Sequence, residues 1–324
     1  MTPRERFIAA LERRPLTGRV PHFELVFFLT MEAFGKVAPG HRSYHQWDQM
    51  EEQERRRHTV DLAETYIAIA ERYEHSAIVV HPTPMTFDIR ARVVDEIRER
   101  TGDRYFLMVL NDPTFAIPHG DRIMEFVARL ADEPEKVKAE AAAAVEASLE
   151  TAERFGKRGV DGFAMCADYC FNTGPFLSPN QFGEFVTPYL EKVIAGFRER
   201  GLYSIKHTDG NIMPILDQLV GAAPDALHSL DPQAGVDIAE VKRRVGDRVC
   251  LIGNVNCGLL DTGTDEECIE SARYCLRHGM PGGGYVFATS NCIYTGLRLS
   301  RYDLMLDVWR KEGEYPPNAS QAAP

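Results

Sequence analysis

The sequence predicts a single (β/α)8 barrel, a TIM barrel, with one extra helix in front of it. Three observations carry this. Eight short apolar runs recur along the 324 residues, each closed by turn residues. Longer amphipathic segments lie between them, and no Ser/Gly/Pro-rich linker divides the chain. Short runs rich in Val, Ile, Leu or Phe have the pattern of strands buried on both faces of a parallel sheet. Strands that alternate with helices close most economically into a barrel.

The elements follow in order. Thr2 before Pro3 reads as a helix N-cap and first turn, so TPRERFIAALERR begins with a helix that would close the barrel bottom. The first run is VPHFELVFF (20–28), then SAIVVHP (76–82), YFLMVLND (105–112) and VDGFAMCAD (160–168). LYSIKHTDG (202–210), DALHSLDP (225–232), VCLIGNVN (249–256) and GYVFATSN (284–291) complete the set. Clear helical segments are 121–157, 178–201, 237–246 and 265–279. Ser178 with Pro179 repeats the cap-plus-proline start, and Gly201 and Gly279 read as stops. Gly282, Gly283 and Gly284 read as a tight turn into the last run. A doubly wound open sheet would need a glycine-rich phosphate loop after its first strand, and Phe28-Leu29-Thr30-Met31 is not one. The expected organisation is one barrel over 1–312 and a tail over 313–324.

Composition narrows the function. A hydrophobic share of 44% and a charged share of 26% exclude a disordered, collagen-like or disulfide-scaffold chain. With 37 Lys+Arg against 48 Asp+Glu the formal charge is −11, which argues against nucleic acid or an anionic membrane as partner. No stretch approaches the roughly 18 apolar residues of a membrane span, and the N-terminus lacks the apolar core of a signal peptide. The expectation is a cytoplasmic protein whose seven cysteines are reduced thiols. A homodimer is the base-rate assembly.

In such a barrel the chemistry sits at the C-terminal ends of the strands, where nearly every run ends in a polar side chain. Glu24 lies within the first run, where a carboxylate among Phe23, Leu25 and Val26 would be buried unless paired. His81 follows the second run, Asn111 and Asp112 the third, Asp168 and Tyr169 the fourth. His207 and Asp209 follow the fifth, His228 and Asp231 the sixth, Asn254 the seventh, Asn291 and Cys292 the eighth. Glu24, Asp168 and His207 are the candidate catalytic residues. His81, Asn111, Tyr169, Asp231, Asn254 and Asn291 are candidate substrate contacts. In His207-Thr208-Asp209 two ligands one residue apart point the same way and can take two places of a tetrahedral zinc site, with Cys292 as a thiolate third ligand. The alternative is that His207 bonds a neighbouring loop, Asp209 caps a helix starting near Asn211, and Cys292 is a small buried hydrophobe. His81 and Asp231 also read as a packed rim histidine and a turn residue, and the pair Cys166 and Cys170 is a weak metal signal.

Several blocks resemble a known family: TPRERFIAALERRPLTGRVP, GPFLSPNQFGEFVTPYLEKVI, HTDGNIMPILDQL, GVDIAEVKRRVGDRVCLIGNVN and GGGYVFATSN. Together they are similar to the uroporphyrinogen decarboxylase superfamily, over nearly the whole chain and most closely from 162 to 310. The resemblance implies a single-domain barrel and one of two chemistries. The decarboxylases hold the carboxylate arms of a porphyrinogen with an arginine-rich motif after the first strand; here that place reads ELVFFLTMEAFGK, with no arginine. The other branch moves a methyl group between a corrinoid protein and a thiol, using zinc on a His-x-Cys pair and a late cysteine. His207 matches that histidine and Cys292 the late cysteine, but Asp209 stands where the first cysteine would be. The resemblance therefore implies methyl transfer between a corrinoid protein carrying methylcobamide and a small methyl donor or acceptor. The metal would sit on His207, Cys292 and Asp209, with Glu24 as fourth ligand or base. The chain lacks a cobalamin signature of the D-x-H-x-x-G kind, so the corrinoid would belong to a partner protein. A metal-independent decarboxylase using Asp168 or Glu24 is the alternative, and a non-catalytic ligand-binding barrel a third reading.

Overall fold

The computed structural model describes residues 1–83 and 85–316. Its sheet holds seven parallel strands: β1 (Ala77–Val80), β2 (Phe106–Leu110), β3 (Gly162–Met165), β4 (Tyr203–Thr208), β5 (Ala226–Ser229), β6 (Cys250–Val255) and β7 (Tyr285–Thr289). Each pairs in parallel with its neighbour in sequence. Every one lies inside an apolar run. Their residues are almost wholly buried, as a sheet covered on both faces requires.

The first run departs from expectation. It forms no ladder and touches the sheet through two isolated bridges, His22 to Phe287 and Phe27 to Ile293. It still closes the ring. Ser76 N donates to His22 O at 2.6 Å on one side, and Phe287 N donates to Pro21 O at 2.9 Å on the other. Two features break the ladder. Pro21 has no N–H to give, and the Thr289 N–H is taken by the Glu24 carboxylate at 3.3 Å rather than by a strand carbonyl.

The N-terminal helix, Pro3–Leu11, has Thr2 as N-cap with the full capping box to Glu5. It plugs the barrel floor. Phe7 packs edge-on against Phe23 with centroids 5.5 Å apart and lies 4.8 Å from Phe106. The segments read as single helices at 121–157 and 178–201 are each broken. Arg122–Asp132 is followed by Pro134–Gly156, and Pro179–Phe185 by Thr187–Glu199. Both breaks coincide with a proline early in the second helix, Pro134 and Pro188, which cannot donate into a continuous helix. Within the segment read as the tail, Glu314–Tyr315 pair antiparallel with Gly18–Arg19; residues 317–324 lie outside the described residues. No described helix is long and apolar enough to cross a membrane.

Candidate functional site

The C-terminal end of β4 organises the site. Side chains alternate along a strand, and here that rule places His207 and Lys206 in different surroundings. His207 is in register with His228 of β5, and their Nδ1 atoms lie 2.8 Å apart. Beyond the other edge of the His207 ring, Nε2 is 3.7 Å from Asp168 Oδ1 and 3.6 Å from Asp209 Oδ1. Asp168, His207 and Asp209 each offer a ligand atom within 4.8 Å of the other two, the one such cluster of His, Cys, Asp or Glu among the described residues.

Both carboxylates are anchored by hydrogen bonds. Asp209 accepts from Ser229 Oγ at 2.7 Å and from the Asn291 amide, and its own N–H donates to Asp168 Oδ1 at 3.0 Å. Burial lowers the pKa of His207 below its ordinary value, although Asp209 and Asp168 pull the other way. Burial likewise raises Asp209, against the pull of His207. Gly210 makes the close approach possible. Its φ is +81°, and a Cβ there would sit 2.5 Å from the Cys170 carbonyl oxygen.

Cys292 does not join the cluster. It is partly buried, its carbonyl accepts from Cys257 Sγ at 3.6 Å, and burial holds its thiol well above the usual range. The structure groups His207 and Asp209 with Asp168, from the loop after β3, rather than with the expected Cys292. Asp209 caps no helix, because its carboxylate spans to β5 and to Asn291 instead.

Glu24 is also outside the cluster. It is buried, accepts from Thr289 N and Oγ1, and burial raises its pKa to about 8, against those hydrogen bonds. Glu24 thus stands apart from the Asp168–His207–Asp209 group, and burial favours the neutral form of its carboxyl. Glu24 and His81 instead line a small cavity of about 20 Å³ beside Gly40 and Tyr66.

Two expected substrate contacts turn outward. Asn111 bonds Ser148 of helix Pro134–Gly156 in both directions, at 2.9 and 3.2 Å. Asn254 donates to Leu230 O at 2.6 Å and accepts from Cys275 Sγ of helix Asp265–Gly279. Both amides tie the wall to the helix layer, because strand alternation sends them to that face. Asp231 accepts from Gln233 N at 2.9 Å and makes a turn. Tyr169 is buried, with its hydroxyl 2.5 Å from Thr114 Oγ1. Asn291 alone of the six reaches the cluster, through Asp209.

Sequence reasoning missed Lys206. It is fully buried, donates to Asp112 Oδ2 at 2.7 Å and to Ala167 O at 2.8 Å, and lies 4.1 Å from the centre of the Tyr169 ring. Burial would raise Asp112, yet the Lys206 charge keeps it below the ordinary carboxylate range. Asp112 also takes Ala167 N and Thr114 Oγ1, so the pair pins the loop that presents Asp168. The signal was present in YSIKHT: a charge inside a buried run demands a partner, the argument already applied to Glu24.

The uroporphyrinogen decarboxylase (URO-D) profile matches residues 118–312, the span that carries Asp168, His207, Asp209 and Asn291. The chain belongs to the uroporphyrinogen decarboxylase family. Its curated relatives include uroporphyrinogen decarboxylase of Thioalkalivibrio sulfidiphilus (strain HL-EbGR7), 29% identical over 150 residues, covering 43% of this chain and 40% of that protein. That of Pseudoalteromonas translucida (strain TAC 125) is 30% identical over 124 residues, covering 35% of this chain and 32% of the relative. The match thus spans well under half the length of these family members. Among solved structures, a methyltransferase from Methanosarcina mazei shares the fold with a TM-score of 0.74 at 18% identity, covering 96% of this chain and 99% of that one.

Proposed function

We propose that the protein moves a methyl group between a corrinoid, carried as methylcobamide on a partner protein, and a small acceptor or methylated donor. A divalent cation such as zinc would be held by Asp168, His207 and Asp209. The observation that carries this reading is the convergence of one imidazole nitrogen and two anchored carboxylates at the strand ends of a URO-D-family barrel. One nitrogen and two oxygen donors fit a three-ligand zinc site with an open position, harder than a thiolate-bearing one.

Zinc bound there supplies Lewis acidity that lowers the pKa of a nucleophile. The protein's part is to hold and position. Asn291 and Ser229 fix Asp209, the Asp209 N–H fixes Asp168, and the buried His207 ring keeps Nε2 between them. Asp168 is the most exposed of the three, with 46% of its side chain accessible against 31% for Asp209, and marks the side from which a nucleophile would enter. The fold shared with a protein named a methyltransferase agrees with this reading.

A porphyrinogen substrate is disfavoured by charge. Arg42, the first arginine after the first run, is committed to Asp61, Thr65 Oγ1 and Val37 O, and the chain carries a formal charge of −11. The second reading, decarboxylation without metal, is favoured by the names of the curated relatives and by the burial that raises the pKa of Glu24. Metal analysis of protein purified without chelator separates the two. The proposal expects about one zinc per chain, lost in His207→Ala, and no turnover of uroporphyrinogen. Metal-free protein that decarboxylates uroporphyrinogen would establish the second reading.

A further inference from the structure

The floor of the barrel holds a cavity of about 350 Å³, at the end opposite Asp168, His207 and Asp209. Its wall is built where the chain enters the sheet. Ser76 and Tyr105 come just before β1 and β2, Pro21 stands early in the first run, and Arg6 belongs to the N-terminal helix. The volume is in the range of small-molecule sites.

The charge on that wall does not balance. Arg6, Arg19 and Arg104 line it against Glu71 and Glu74, three positive groups less two negative ones, or +1. Glu74 is held by Arg19 at 2.9 Å and by Arg310 at 2.8 Å, and Glu71 by Arg104 at 3.2 Å. Arg6 has no carboxylate partner among the described residues; its Nη1 donates to the Thr17 and Arg19 carbonyls. The chain as a whole carries −11, so this local excess of arginine is not inherited from composition. Two further donors on the wall are bare. The Tyr105 hydroxyl and Arg19 Nε are buried and meet no hydrogen-bond partner among the described residues. Buried polar groups are almost always paired, so two such donors on one cavity call for an acceptor that comes from outside the chain. The rest of the wall is apolar, from Val20, Pro21 and Ala70, with the Arg19 guanidinium 4.9 Å above the Trp309 ring.

We propose that this cavity is a second binding site, which takes a small organic monocarboxylate. The carboxylate oxygens accept from the remaining N–H groups of Arg6, from Arg19 Nε and from the Tyr105 hydroxyl, and the apolar body lies on Val20, Pro21 and Ala70. Guanidinium groups recognise carboxylate and phosphate alike. Here one negative charge neutralises the wall, whereas a phosphate dianion leaves a charge uncompensated. The site stands at the far end of the barrel from the strand ends, so it does not depend on the metal-site reading.

Saturation-transfer NMR and calorimetry on metal-free protein test the proposal. The ligands are benzoate, 3-phenylpropionate and hexanoate, each beside its neutral amide, and inorganic phosphate. At least one carboxylate is expected to bind, with its amide roughly tenfold weaker or more. Tyr105→Phe removes only a hydroxyl that has no partner. It should melt with wild type when no ligand is present, yet bind the carboxylate roughly three- to tenfold more weakly. Arg6→Met should weaken binding roughly tenfold or more, and His207→Ala should bind as wild type does. The proposal is overturned if none of the three carboxylates binds, because water then serves the bare donors. It is equally overturned if phosphate binds more tightly than every carboxylate, or if Tyr105→Phe binds as tightly as wild type. Binding that is lost in His207→Ala would place the carboxylate at the strand ends and overturn it as well.

Discussion

Lys206 Nζ lies 2.7 Å from Asp112 Oδ2, with both side chains buried beneath the loop that carries Asp168. A buried ion pair adds little over a well-packed apolar pair, but removing one partner strands the other charge. Lys206→Met should therefore cost about 3–5 kcal/mol in denaturant unfolding. Lys206→Met with Asp112→Asn should recover part of it. A single variant as stable as wild type would show that water reaches Asp112.

Gly210 sits between Asp209 and the Cys170–Phe171 hairpin, where its positive φ and the 2.5 Å approach leave no room for a methyl group. Gly210→Ala should lose at least about 1 kcal/mol of stability. It should also weaken zinc binding, because Asp209 moves with the backbone. Equal melting temperature and zinc affinity would contradict the close approach.

Glu24 provides the pH signature. Its carboxyl is raised from 4.5 to about 8 in the folded state, so the folded protein binds a proton that the unfolded chain has already released. The contribution is fully present below pH 4.5 and is lost as pH rises toward 8, at about 1.4 kcal/mol per pH unit. Glu24→Gln should remove this slope. The check is the difference between wild-type and variant unfolding free energies from pH 5 to 8; a flat difference would refute the buried protonated carboxyl. His22, lowered to about 4 by burial, bends the curve the opposite way below pH 6.5 in both proteins and cancels in the difference.

The ligand set itself is open to substitution. Asp168→Asn and Asp209→Asn should each weaken zinc by about tenfold or more, as loss of a charged ligand demands. Cys292→Ala should leave the affinity unchanged, because Cys292 lies outside the cluster. Isothermal titration with zinc distinguishes these outcomes. A large loss confined to Cys292→Ala would restore the thiolate site that the sequence suggested.

What the sequence determined by itself is the barrel and the end of it that matters. Seven of the eight apolar runs became parallel strands, because continuous burial on both faces is written into local composition. That His207 and Asp209 face the same way was legible, because their spacing on one strand end fixes their common direction. Tertiary structure decided the partners. Asp168 rather than Cys292 completes the cluster, since loops from different strands meet at distances no spacing encodes. Asn111 and Asn254 were lost to the helix layer, because a polar residue at a strand end can face either way and only the pleat register chooses. His228 was visible as a histidine, but its contact with His207 exists only because β4 and β5 align those two positions side by side.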